Sequence, residues 1–505
     1  MRTRKTVLNV ISDVLPQIVI IAIAIFKSKI FLNNLGDDNV GLYNYLNQII
    51  AYLSLAELGL TSAVMYYLYN PIRGKNYLKI AQLVNGAKFT FKIIMIVIFV
   101  IGVIVAPFLP HLIKNLQFEN IYVIEIFLII LVTNVLTYFS TPFIITFDAY
   151  QEKYKYIFWF QLLIILRNII SIILVLVFKN LFLVVALECI TSILQNVIIR
   201  FLYKKNFKMI LATKTTRKDL SFLKKVKSLV PHRLGYIISQ NIDIVIVTMS
   251  LGLSSVAIYT CYNYIVNCFN VLIGRVSSAT LASIGDLIEE KKEKSFNLFL
   301  EYNSLLNFFA LLIVCPLFIV FNNFISIWYG EKYLLSTLCV LIFCLILYYN
   351  IIRINLTTFS SGDGLFKETL VCVWTEVIIN LVLSIVLVRY IGILGLVLGT
   401  LISMVIGEFI ICPHILNKHI FKNKISKYYI DCLLFAVLLT FNIAILSLSY
   451  SLFNIQNIFV WFMTSILIFI LNFIFVVLEF KIAKKNSIFD RFKNLKKERV
   501  KTNES

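Results

Sequence analysis

Four arginines and seven carboxylates stand where so apolar a chain has least reason to put them. Arg167, Arg233, Arg275 and Arg353, with Asp13, Glu57, Glu125, Glu188, Asp243, Glu376 and Glu408, all fall inside long apolar runs. An Arg or Asp at mid-bilayer costs about 2.5–3.5 kcal/mol on insertion scales. Each such residue must reach the interface, as Asp13 can near a run's end, or pair across helices, or meet water and a ligand. Roughly half are expected to pair.

Uncharged polar residues in the same runs follow helical spacing. Tyr259, Asn263, Asn267, Asn270, Gly274 and Ser277 recur every three or four residues, which places them on one helix face. Arg275 flanks that stripe. Asn47, Ser54, Glu57 and Thr61 form a second stripe, Asn134, Thr137 and Thr141 a third, and Asn350, Arg353, Thr357 and Ser361 a fourth. Interhelical hydrogen bonding accounts for a single Asn or Ser, and Gly395 with Gly399 reads as close helix packing. Whole stripes read as the lining of a polar cavity. Asn47, Asn134, Asn263, Asn267, Asn270, Asn350 and Thr357 are its expected residues.

The stripes recur because the chain repeats. GDDNVGLYNYLNQII (36–50) aligns with GLSSVAIYTCYNYIV (252–266) at an offset of 216. Gly36 meets Gly252, Tyr43 meets Tyr259 and Asn47 meets Asn263. The same offset pairs Asn134 with Asn350 and Thr141 with Thr357. A constant offset over so long a stretch marks an internal repeat.

These stripes need membrane helices to carry them. The chain has 505 residues, 60% hydrophobic and 14% charged, with mean hydropathy +0.89. About 14 spans are expected, near 6–26, 40–69, 91–113, 120–147, 156–178, 180–203, 228–250, 255–284, 303–325, 334–359, 369–389, 391–415, 428–450 and 456–480. The run at 6–26 is read as a span rather than a cleaved leader, because Asp13 interrupts it and no small-x-small site follows. Of 47 Lys and Arg, only Lys27, Lys29, Lys114, Lys179, Lys332 and Arg389 fall in outside connections if both termini are cytoplasmic, a strong positive-inside bias. The net charge of +21 is therefore read as inner loops facing anionic headgroups, not as nucleic-acid binding. The nine cysteines lie in apolar runs without C-x-x-C spacing, and the four histidines are scattered, so no metal site is expected.

The expected fold is an all-α polytopic membrane protein: two parallel six-helix repeats, 1–210 and 211–427, two additional helices in 428–480, and a basic tail, 481–505. An even helix number per repeat makes the repeats parallel, with a substrate path between them. Arg233, Arg275 and Arg353 stand where the first half has Gln17, Gly59 and Thr137. New cations on the stripes of one half suit an anionic substrate, and the guanidinium fork suits phosphate. Substituting Arg275 or Arg353 by Ala is expected to cripple transport without loss of the protein. Asp13 and Glu57 are the candidates for ion coupling.

The segment NNLGDDNVGLYNYLNQIIAYLSLAELGLTSAVMYYLY resembles Wzx-type polysaccharide flippases of the multidrug/oligosaccharidyl-lipid/polysaccharide (MOP) exporter superfamily. Gly41 and Tyr43, then Leu58, Gly59 and Leu60, carry the likeness, and Ala257 and Tyr259 echo it. The resemblance implies a MATE-like pair of bundles that open alternately, and a cationic cavity. It further implies an undecaprenyl-pyrophosphate-linked oligosaccharide as substrate, moved across the bacterial cytoplasmic membrane for O-antigen or capsule synthesis. The three arginines are assigned to the pyrophosphate from the stripes, not from a family motif. No catalytic residue, metal or cofactor is expected, beyond an H⁺ or Na⁺ gradient; membrane lipids and a polysaccharide polymerase are the other expected partners. The alternatives are a drug or cation exporter of the same fold, a major facilitator, or a membrane-bound polymerase or glycosyltransferase. The last would need a large catalytic loop that this spacing does not provide.

Overall fold

The computed structural model describes residues 2–483 apart from 58, 214, 291–294, 366, 423–424, 452 and 454–456, with the side chains of 2–11, 13–15, 55–56, 225, 227–233, 236–241, 272, 275–290 and 295 also outside the described set. The described chain is all helix and loop. Its helices are α1 (Arg2–Leu35), α2 (Asp37–Leu53), α3 (Leu60–Arg73), α4 (Tyr77–Val105), α5 (Asn120–Thr137), α6 (Thr141–Ala149), α7 (Tyr154–Phe178), α8 (Leu181–Asn206) and α9 (Lys208–Ala212). They continue with α10 (Leu223–Leu251), α11 (Leu253–Glu290), α12 (Ser295–Trp328), α13 (Thr337–Gly362), α14 (Leu370–Ile391), α15 (Ile393–Met404), α16 (Cys412–Leu416), α17 (Ser426–Tyr450) and α18 (Ile458–Ile482).

Eleven stretches among the described residues are long and apolar enough to cross a membrane. The chain is a multi-pass membrane protein. The three other expected spans coincide with α2–α3, which a break divides, and with α10 and α11. The repeat is visible in the backbone. Gly36 and Gly252 open α2 and α11 with φ of +84° and +93°, a corner that only glycine enters cheaply. Two further helical irregularities, π-turns at Val405–Ile411 and Asn417–Phe421, flank α16.

The chain divides into two compact units, Met1–Ala257 and Ile258–Ser505. In the first, α1 packs along α7, α8 on α5 and α7, and α10 on α2 and α3. The packing unit thus keeps α10, which the sequence repeat counts with the second half. In this unit Gly41 is indispensable: a Cβ there would sit 2.1 Å from the Leu253 carbonyl oxygen.

In the second unit α12 is the centre, touching α13, α17 and α18. Pro316 lies inside it and cannot donate to the Leu312 carbonyl four residues back. Asn472 of α18 fills the gap, its Nδ2 donating to the Leu311 oxygen at 3.1 Å and to the Leu312 oxygen at 3.4 Å. Trp461 Nε1 donates to the Val320 oxygen at 3.0 Å, and Phe480 packs on Phe308 and Phe435. The additional helices therefore repair the proline break in α12. Replacing Asn472 with Leu is expected to lower stability by about 1 kcal/mol. Thermal unfolding in detergent measures it, and adding Pro316→Ala, which restores the backbone donor, should recover most of the loss. The Gly395–Gly399 pair is confirmed as packing: a Cβ on Gly395 would meet the Leu387 oxygen at 2.3 Å, and one on Gly399 the Ser384 nitrogen at 2.8 Å.

Candidate functional site

Two helix breaks in the first unit meet, and they gather the densest set of the expected stripe residues. The second span leaves α2 through a 3-10 turn, Ser54–Glu57, and restarts after Gly59, whose φ is +76°. The fourth span stops at Thr137, turns through Tyr138–Ser140 and resumes as α6. Ser54 Oγ lies 2.9 Å from the Ile50 oxygen, to which it donates, and 3.3 Å from Asn134 Oδ1. Tyr138 hydrogen-bonds with Ser54 and Glu57, and Thr61 Oγ1 donates to Glu57 Oε1 at 2.8 Å. A carboxylate, an amide, a phenol and two hydroxyls thus converge where backbone regularity is lost. In a membrane such irregular backbone persists only where protein or a water-filled cavity satisfies it.

Helix α8 supplies part of that satisfaction. Asn196 Nδ2 donates to the Leu136 oxygen at 2.8 Å, and Ser140 Oγ donates to Asn196 Oδ1 at 2.7 Å. Asn196 and Ser140 are both buried, so nothing else replaces these bonds. Asn196→Ala is expected to cost about 1 kcal/mol in detergent unfolding, because it strips two polar partners at once. The same substitution should make the 138–140 turn more sensitive to proteolysis.

The buried charges pair within each unit. In the first, Glu188 of α8 accepts from the Tyr43 hydroxyl at 2.7 Å and has Arg167 of α7 at 3.9 Å. Lys27 joins this cluster through Asn168 Oδ1 at 3.3 Å and lies 4.8 Å from the Phe31 ring centroid. Sequence reasoning placed Lys27 in an outside connection; the helix in fact runs on to Leu35 and keeps Lys27 among α7 and α8 partners. In the second unit, Arg353 of α13 sits between Glu376 of α14 and Glu408 of the Val405–Ile411 turn. Its Nη2 is 3.1 Å from Glu376 Oε2 and 2.8 Å from Glu408 Oε1, and Nη1 donates to Glu376 Oε1 at 3.3 Å. Gly407 makes this approach possible, since a Cβ there would lie 2.8 Å from the Cys372 oxygen.

This triad changes the meaning of Arg353. Among the described residues Arg167, Glu188, Arg353, Glu376 and Glu408 pair, in line with the expectation that roughly half of the spanning charges do, but two carboxylates already use the fork assigned to phosphate. The expectation that Arg353→Ala leaves the protein intact is corrected accordingly, because the substitution would strand both acids. Arg233, Arg275 and Asp13 have side chains outside the described residues. The backbone at Arg275 does explain one sequence contrast. Helix α11 is unbroken there, whereas Gly59, its repeat counterpart, sits at a left-handed break that arginine would adopt only with strain.

The remaining stripe residues lie as follows. Asn47 Nδ2 donates to the Tyr43 oxygen at 2.7 Å. Asn263 and Asn270 are half-buried and Asn267 exposed on α11; Asn350 is half-buried and Thr357 exposed on α13. Thr357 donates to the Arg353 oxygen at 3.2 Å, and exposed Thr137 donates to the Asn134 oxygen at 2.7 Å. Amides exposed in mid-span keep spare donors and acceptors that acyl chains cannot satisfy.

No family model matches the sequence, and no curated protein does. Solved structures match in fold. The lipid II flippase MurJ in an inward closed conformation aligns with a TM-score of 0.69 at 16% identity, over 92% of this chain and 98% of that one. An inward-facing multidrug resistance MATE family transporter of the MOP superfamily aligns at 0.61 and 14% identity, over 78% and 94%. A MOP superfamily transporter from Pyrococcus furiosus, described by a binding pocket of reverse polarity, aligns at 0.53 and 14%, over 81% and 96%. At these identities the likeness is one of fold: this chain shares the all-helical fold of these solved structures.

Proposed function

We propose that the protein is a flippase that moves undecaprenyl-pyrophosphate-linked oligosaccharide across the bacterial cytoplasmic membrane by alternating access. The likeness to a lipid-linked precursor flippase over 92% of the chain carries this reading. Likeness to the MATE transporter covers less of the chain, 78%. The exposed Asn267, Thr137 and Thr357 support it further, since sugar hydroxyls can take up the hydrogen bonds that lipid leaves open. In this reading 1–210 and 211–427 are the rocking repeats and both termini are cytoplasmic. Arg233 and Arg275 draw in the pyrophosphate, lowering the cost of bringing a dianion to low dielectric. Arg353 organises the second repeat from within its carboxylate pair, and its contact with phosphate would require one acid to let go. Two carboxylates share one guanidinium there. Glu376 and Glu408 thus join Asp13 and Glu57 as groups through which an H⁺ or Na⁺ gradient could act. The polysaccharide is an O-antigen-like or capsular one, with a polymerase downstream.

One observation favours a second reading, a drug or cation exporter. Glu57 supplies an acid at the paired helix breaks, and the described cations at spanning depth in the second unit reduce to an Arg353 already matched by two acids. A single experiment separates the two. In cells lacking the gene, lipid-linked oligosaccharide should accumulate on the inner leaflet, and a plasmid-borne copy should clear it. Normal export of the intermediate with altered drug efflux would replace the flippase reading by the exporter one.

A further inference from the structure

The first unit holds a cationic cavity that borders the Tyr138–Ser140 turn and whose cations the buried ion clusters do not use. It has a volume of about 190 Å³ and lies between α4, the α5–α6 turn and α8, lined by Lys88, Lys92 and Arg200 among aromatic rings. Lys88 Nζ lies 5.0 Å from the Phe143 ring centroid, and the Arg200 guanidinium carbon 5.6 Å from that of Phe139. Phe143 in turn packs on Tyr203 at 4.7 Å, and Phe91 stacks on Tyr138, so the walls are packed aromatic rings. Lys88 also borders a second cavity of about 140 Å³ that includes Asn85 and Thr215. No carboxylate lines either cavity among the described residues. Glu57 hydrogen-bonds with Tyr138 but is not in the lining.

Three cations would be unremarkable in a polybasic loop, but these sit on spanning helices. Their surroundings are apolar: Phe89, Ile93 and Ile96 on α4, and Val197 and Phe201 on α8, are exposed. In a membrane protein such a surface meets acyl chains. The cavity therefore offers positive charge to a group whose other end is hydrocarbon. Its position is near the loops at Gly74–Asn76 and 207–222, the end that the topology reading assigns to the cytoplasm. Roughly six waters' volume, at ~30 Å³ each, accommodates one phosphodiester and part of its alcohol but not a chain of sugars.

We propose that Lys88, Lys92 and Arg200 form a binding site for the phosphate of an anionic phospholipid of the surrounding leaflet, held with its acyl chains along α4 and α8. Basic pockets between membrane helices take such headgroups. The aromatic rings orient the cations inward and limit the loss of side-chain entropy on binding. The site rests on the membrane-spanning reading of the chain and on no assumption about what is transported. Its test is accordingly a binding measurement, which can fail while the flippase reading stands.

Purified full-length protein is exchanged into nanodiscs holding phosphatidylglycerol and phosphatidylcholine, and the lipid retained after mild delipidation is measured by mass spectrometry. Phosphatidylglycerol should be retained selectively by the native chain. The double variant Lys88→Gln/Arg200→Gln should retain about tenfold less or lower. Neither cation has a carboxylate partner in the cavity lining, so removing both strands no buried charge, and thermal unfolding checks that the variant is folded. Lys418→Gln/Lys427→Gln, in the second unit, should bind as the native chain does. Equal retention of the two lipids, or a double variant that binds unchanged, overturns the site. Displacement of phosphatidylglycerol by equimolar undecaprenyl pyrophosphate would also overturn it, making the cavity a station for the transported carrier instead.

Discussion

Arg353→Ala is expected to lower stability by about 3–5 kcal/mol, enough to reduce sharply the yield of monodisperse protein. Glu376 and Glu408 are buried, and Arg353 is the cation between them. Removing it leaves two like charges facing each other at low dielectric, so the penalty is that of stranded acids rather than the net worth of an ion pair. The distinction makes a second variant informative. Arg353→Ala combined with Glu376→Gln and Glu408→Gln removes the stranded charges and should regain most of the stability. Arg353→Lys keeps the charge but cannot span both acids with one fork, and should fall between. Glu408→Gln alone leaves one acid per guanidinium and should be close to neutral. Thermal unfolding in detergent of this set decides the matter. An Arg353→Ala protein with native stability would mean that the acids find other partners, and the arginine would return to the pool of substrate ligands.

The all-helical, multi-span class was legible because hydrocarbon imposes its own composition on every span, and the repeat because Gly36 and Gly252 preserve one backbone corner. The breaks were less legible. Ser54, Glu57 and Thr61 keep helical spacing across the 54–59 turn, so the pattern looks continuous; only Gly59, placed against Arg275 in the repeat, betrays it. The Tyr138–Ser140 turn is marked in sequence by Pro142, which opens α6, but its carbonyl partner, Asn196, is 60 residues from Leu136. The triad was half legible. All three charges stand out in apolar runs, but nothing in their spacing shows that α13, α14 and the turn after α15 bring them together. Arg353, which replaces Thr137 in the repeat, has its carboxylate partners in Glu376 and Glu408, which are also particular to the second half. Lys27 was missed for a simpler reason: positive-inside counting treats a lysine near a span's end as loop, whereas a helix that runs on to Leu35 makes it a buried partner.

Gly59→Ala gives the sharpest functional test of the paired breaks. At φ +76° an L-residue pays about 1–2 kcal/mol, which shifts the balance between the broken and the continuous span by roughly 5–30-fold. The continuous form is a real competitor, because α11 adopts it at the equivalent position. Straightening the span would carry Ser54 and Glu57 away from Asn134 and Tyr138, the contacts that join the second span to the fourth. Delivery of lipid-linked oligosaccharide to the outer leaflet should therefore slow by a similar factor. Gly364→Ala is the matched control. Its φ is +75°, nothing lies within 4 Å of a Cβ there, and it belongs to a turn of the second unit. The same backbone strain should there cost stability and leave transport near normal. Equal slowing by both variants would reduce the effect to stability; no slowing by Gly59→Ala would mean that the break is a packing feature and that substrate passes elsewhere.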